Sequence, residues 1–171
     1  HVAYAQATPR KPGIDEDGRA RIELRVLTIA TGESRSFITA ESGASSISWT
    51  PDGSAIAFLA KRTGDEQRSL YTISIDGGEA RKAFAFDDRG VGAYRISPDG
   101  EHVAVLATAP QPADQKAAAK KGFRPEVYEE TWRPGEVWIA AHHGGEESEP
   151  RLLPIDGHVS NMEWAPDSRR L

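Results

Sequence analysis

Cysteine is absent from the 171 residues. That excludes a disulfide framework and thiolate chemistry, and is compatible with either the cytosol or an oxidising periplasm. Long apolar runs are absent too: none approaches the roughly 18 residues of a membrane-spanning helix, so no membrane span is expected. No basic-then-apolar leader opens the chain, and its first residue is His1 rather than Met, so a cut or processed start is expected. Clusters of one charge sign are missing as well. The 21 basic residues are interspersed among 26 acidic ones for a net charge of −5, which argues against a nucleic-acid groove. What remains is a composition with 38% hydrophobic and 27% charged residues, enough for a packed core and unlike a disordered chain.

Against these absences stands a repetition. The dipeptide Pro-Asp occurs three times, at Pro51-Asp52, Pro98-Asp99 and Pro166-Asp167, 47 and then 68 residues apart. "SWTPDGSAIAF" and "RISPDGEHVAV" each hold a turn between two apolar runs, and "EWAPDSRRL" begins a third copy. A polar residue, Pro, Asp and Gly in that order are the preferences of a type I turn, in which Pro presets φ at the second position. The runs that follow, "AIAFLA" and "HVAVLATA", are apolar on both faces and rich in Ala, as a strand between two neighbouring sheets would be. A second hairpin signal follows each: "SLYTISIDGGEARKAF" turns at Asp-Gly-Gly, "EVWIAAHHGGEESEPRLLPI" turns more loosely, and "RIELRVLTIATGESRSFIT" turns at Thr31-Gly32.

Each unit is thus four short strands joined by hairpins, the content of a propeller blade. "HVAYAQAT" at the start aligns with "HVAVLATA", so the chain runs from inside one blade to the same point three repeats later. The expectation is an all-β fold: an incomplete β-propeller of about three four-stranded antiparallel blades, from a ring of about six to eight. It forms one partial domain over residues 1–171, with units near 1–54, 55–101 and 102–171 and insertions near 9–20 and 110–134. Strands are expected near 22–29, 47–50, 55–60, 70–75, 80–85, 92–97, 102–108, 136–141 and 151–154. A short helix is expected within "ADQKAAAKKG".

The Pro-Asp-Gly phrase resembles the propeller repeat typified by TolB. "GFRPEVYEETWRPGEVWIA" resembles the corresponding stretch in propellers of the prolyl oligopeptidase family, near its acylaminoacyl-peptidase and dipeptidyl-peptidase branches. That resemblance implies a parent serine peptidase in which the propeller caps an α/β-hydrolase domain of the same chain, gates peptide substrates, and is periplasmic or secreted. The alternative is a TolB-like periplasmic protein-binding scaffold without a hydrolase. A metal-dependent propeller enzyme is a third reading, but its axial carboxylate and His ligands are not apparent. The nucleophile elbow G-x-S-x-G is absent, and "SGASS" lacks its pattern, so no catalytic residue is expected in this stretch. No cofactor or metal is expected either.

The resemblance singles out Glu129 and Glu130 in "VYEETW" as substrate-binding candidates. Dipeptidyl-type members place paired glutamates from a propeller insertion at the substrate's free amine, whose three donors two carboxylates can accept. The plainer alternative is an acidic surface loop answered by Arg124 and Arg133. The other polar clusters read as structure. His142-His143 read as an exposed turn, since adjacent strand residues face opposite ways. Asp15–Gly18 read as a solvated loop lacking the distal Glu of a Ca²⁺ site. Lys116, Lys120 and Lys121 read as the wet face of the insertion helix. Trp49, Tyr94 and Trp164 read as equivalent blade-packing positions.

Overall fold

The computed structural model describes residues 1–18, 20–38, 43–110, 112, 117, 121–122, 132–142 and 149–171. Its eleven strands among those residues form three antiparallel sheets. The first is β1 (Val2–Thr8), β2 (Arg21–Leu27) and β3 (Ser34–Ile38); the second is β4 (Ser45–Trp49), β5 (Ala55–Ala60), β6 (Ser69–Ser74) and β7 (Arg81–Phe84). The third is β8 (Ala93–Ile96), β9 (His102–Thr108), β10 (Gly135–Ala141) and β11 (Arg151–Leu152). Each sheet is a meander in chain order, and the three do not close a ring. The fold is an incomplete β-propeller, with a first blade of three strands instead of four. The expected strands are present with ends shifted by up to two residues, and β1 and β3 add to them. The helix expected in the second insertion falls mostly outside the described residues.

Two Pro-Asp turns join the first and second strands of their sheets, β4 to β5 and β8 to β9, and the third follows β11. Gly53 N–H donates to Thr50 O at 2.9 Å, Gly100 N–H to Ser97 O at 2.8 Å, and Ser168 N–H to Ala165 O at 3.0 Å. Each turn is then closed by a backbone bond across it: Thr50 N–H on Ala55 O, Ser97 N–H on His102 O, and Ala165 N–H on Arg170 O. Gly53 and Gly100 sit at φ +70° and +79°, in open space, so it is the left-handed backbone that asks for glycine there. Ser168 occupies the same position at φ +57° and bears strain the glycines avoid. The Asp carboxylates tie the turns internally. The hydroxyls of Ser54 and then Thr50 hold Asp52 at about 2.

Alternation along the second strand of each blade builds the core. Ile56, Phe58 and Ala60 pack with Leu24, Val26 and Ile38 of the first sheet, whereas Ala57 and Leu59 pack with Val103, Val105 and Tyr94 of the third. All six residues of β5 are thereby shielded, five of them fully, as the apolar Ala-rich run required. Alanine on the face toward the next blade (Ala3, Ala57, Ala104) lets the sheets approach, and larger side chains on the other face fill the gap. The outer face of the third sheet is covered by the segment after β11, where Met162, Val159 and Trp164 pack on Ala104 and Val137.

The three aromatics pack between blades, but not at one repeat position. Trp49 and Trp164 stand two residues before their prolines, where the second blade's successor has Ile96; Tyr94 stands four before. The ladder explains the difference, because Ile96 pairs with Val103 as Trp49 pairs with Ile56. Tyr94 reaches back to the preceding blade. Its hydroxyl donates to Ser46 O at 2.7 Å and accepts from the Ser48 hydroxyl at 2.8 Å. Ser46 lies at φ +50° in a register shift of β4, which turns its carbonyl toward Tyr94. Trp164 Nε1 donates to Arg95 O at 2.9 Å in the same backward sense. His142 also differs from the exposed turn expected for it. It is buried, and its backbone N–H bonds Glu101 O at 2.9 Å just past the end of β10. His143 lies outside the described residues.

Candidate functional site

Antiparallel meanders separate the connections into two ends. The Pro-Asp turns and the hairpins after β2, β6 and β10 gather at one end. The connections β1–β2, β5–β6 and β9–β10 gather at the other, with the crossovers from each blade to the next. The β1–β2 and β9–β10 connections, where the two insertions were expected, therefore leave their sheets at the same end. There the first is pinned by Asp15, which accepts from the Lys11 amide at 2.8 Å and pairs with Arg21 at 2.6 Å. The Lys11 amide foremost, with Arg21, lowers the Asp15 pKa. Asp15 is thus engaged within its own loop. No group of three or more His, Asp or Glu side chains among the described residues is placed to hold a metal ion.

The β5–β6 connection is held by a buried acid. Asp65 bonds Lys82 Nζ at 2.6 Å, the Tyr71 hydroxyl at 2.5 Å and the Arg62 amide at 2.9 Å. Burial raises its pKa, but Lys82, Tyr71 and Arg62 outweigh that and hold the carboxyl at about 2. The Arg62 guanidinium lies over the Tyr71 ring at 5.4 Å.

Between the second and third sheets, this end opens into a cleft of about 380 Å³. Arg68, Arg89 and Arg133 line it with Asp88, Gly90 and Gly92, among others. Arg89 is a structural cation. It pairs with Asp88 at 2.9 Å and Glu136 at 2.6 Å, and lies over Phe86 and Trp138, each at 5.4 Å. Its pKa is raised by Asp88 first and by Glu136. Arg68 differs. Its Nε donates to Val91 O at 2.7 Å and its Nη2 to Gly92 O at 3.0 Å, so backbone carbonyls fix its plane. Arg133 makes one long bond to Ala109 O, 3.5 Å. Among the described residues, neither Arg68 nor Arg133 forms an ion pair.

Glu129 and Glu130 lie outside the described residues, as do Lys116 and Lys120. Arg133, their neighbour along the chain, lines the cleft, and Trp132 stands exposed with its ring 6.0 Å from that of His158. Sequence reasoning passed over Arg68 and Arg89. They are 21 positions apart on different connections, with no shared period, and only blade packing brings them together. The one local hint was "DDRG" between two strands, a charged crossover where a turn needed only polar residues.

No protein-family model matches the chain. Over 78 residues it is 40% identical to a protein of Bacillus subtilis (strain 168) described as the uncharacterized peptidase YuxL, covering 46% of this chain and 12% of that one. TolB from Acinetobacter baumannii superposes with a TM-score of 0.60 at 16% identity, over 98% of this chain and 34% of that one. The Pyrococcus horikoshii acylaminoacyl peptidase superposes with a TM-score of 0.59 at 15% identity, over 91% and 26%. At such identities the structural likeness is one of fold. The chain thus spans about an eighth of the curated relative and about a third and a quarter of the length of these two solved structures. Among the described residues, no helix is long and apolar enough to cross a membrane.

Proposed function

We propose that this chain is the non-catalytic propeller segment of a serine peptidase, capping an α/β-hydrolase domain of the same protein and admitting peptides by size. The observation that carries the reading is the 40% identity over 78 residues to a peptidase. In this reading 1–54, 55–101 and 102–171 are successive units of one partial domain, and the protein is periplasmic or secreted. Glu129 and Glu130, from the second insertion, receive the free amine of the peptide. The full-length protein tests this with paired substrates. Glu129→Gln and Glu130→Gln are expected to lower kcat/KM for peptides with a free N-terminus and to spare N-acylated ones. Equal, small effects on both would return the pair to a surface loop.

A second reading has its own support, because TolB superposes over 98% of the chain. It makes the protein a periplasmic protein-binding scaffold with no hydrolase. A fluorophosphonate probe of active-site serines separates the two. Labelling of the full-length protein supports the peptidase, and absence of labelling supports the scaffold.

A further inference from the structure

We propose that the cleft between the second and third sheets binds a peptide carboxylate through Arg68 and Arg133. The choice of a peptide as ligand rests on the peptidase reading above; the site itself is argued from geometry. The cleft, about 380 Å³, admits a terminal residue or two, and Gly90 and Gly92 are among its lining residues. Two guanidiniums reach it that no acid among the described residues neutralises, whereas Arg89 beside them is matched by Asp88 and Glu136. A cation needed only for folding is served as Arg89 is. Arg68 is held in another way. Two carbonyls, from Val91 and Gly92, take its Nε and Nη2 and leave Nη1 and the second Nη2 proton for a ligand. The planar fork is thus set before a carboxylate arrives, so little side-chain entropy is lost on binding. Arg133, held among the described residues by a long bond to Ala109 O, lines the same cleft. Thr108 adds a hydroxyl to the lining. A carboxylate is favoured over an internal peptide carbonyl because two cations without an acid partner among the described residues call for a negative charge.

The experiment is calorimetric titration of the full-length protein with a short N-acetylated peptide acid and with its C-terminal amide, and inorganic phosphate as a third ligand. The acid is expected to bind at least about tenfold more tightly than the amide, and the preference to shrink as salt rises. Arg133→Gln is the cleaner variant, since its bond to Ala109 O among the described residues is long, and it is expected to remove most of that preference. Arg68→Gln is expected to remove it as well, and Arg68→Lys to keep only part of it, because an ammonium lacks the anchored fork. A melting temperature on each variant distinguishes lost binding from lost folding. Equal affinity for acid and amide, or a preference unchanged in Arg133→Gln, overturns the inference. Phosphate binding as tightly as the acid overturns it in favour of a general anion site. Acid preference in a protein that no serine probe labels leaves the cleft standing and removes the peptidase reading. Labelling without acid preference does the reverse.

Discussion

β1 and β5 occupy the same place in successive blades, yet one is mostly exposed and the other shielded along its whole length. The repeat aligns Val2 and Tyr4 with Ile56 and Phe58, and with Val103 and Val105 of the third blade. In the second and third blades this face packs on the sheet before it. In the first it carries a polar network instead. Tyr4 shares a 2.7 Å hydrogen bond with the Ser34 hydroxyl, and Arg25 bonds Ser34 and pairs with Glu23 at 3.1 Å. The opposite face of the same strand is ordinary blade interior, with Ala3 packed in the first core cluster as Ala57 is in the second. The neighbour, not the strand's own sequence slot, decides whether a face is core. Where nothing covers the sheet, the side chains satisfy one another rather than a hydrophobic partner.

The largest test of that contrast is Phe58→Ala. Phe58 is fully buried and stacks on Tyr71 at 5.8 Å, so the loss is expected to be about 3–5 kcal/mol in a denaturant melt. Its counterpart Tyr4→Phe removes one partly exposed hydrogen bond and is expected to cost within about 0.5 kcal/mol. A Tyr4→Phe loss approaching that at Phe58 would mean that the first sheet's outer face is covered in the whole protein.

A middle-sized effect concerns acid. The folded Asp65 carboxyl titrates at about 2, below the roughly 3.9 of an unfolded Asp. Its contribution is therefore complete above about pH 4 and lost as pH falls toward 2. Asp65→Asn is expected to flatten that acid limb, leaving the part that Asp52, also at about 2, supplies from its turn. An unchanged limb in urea melts between pH 5 and 2 would remove Asp65 from the account.

The smallest effect separates the Pro-Asp turns. Ser168 is strained at φ +57°, and its hydroxyl accepts the Asp99 amide at 3.0 Å, linking the third turn to the second. Ser168→Gly relieves strain and loses that bond, so near-neutrality is expected. Ser168→Ala loses the bond and keeps the strain, and is expected to fall about 1 kcal/mol below the glycine variant. Thermal melts that place the two together would remove the strain argument.

Much of the blade was legible because its signals are local. Pro presets φ, Asp and Ser or Thr close the turn, and an Ala-rich run apolar on both faces foretells a strand with sheets on either side. Those terms act within a dozen residues, so the order of strands and their pairing in meanders follow from the chain itself. The backward reach of Tyr94 to Ser46, the burial of His142 and the meeting of Arg68, Arg89 and Arg133 in one cleft were not legible. Each depends on the distance and rotation between sheets, which side-chain volumes across the interface set. No local propensity carries that information, and only the packed tertiary structure decided it.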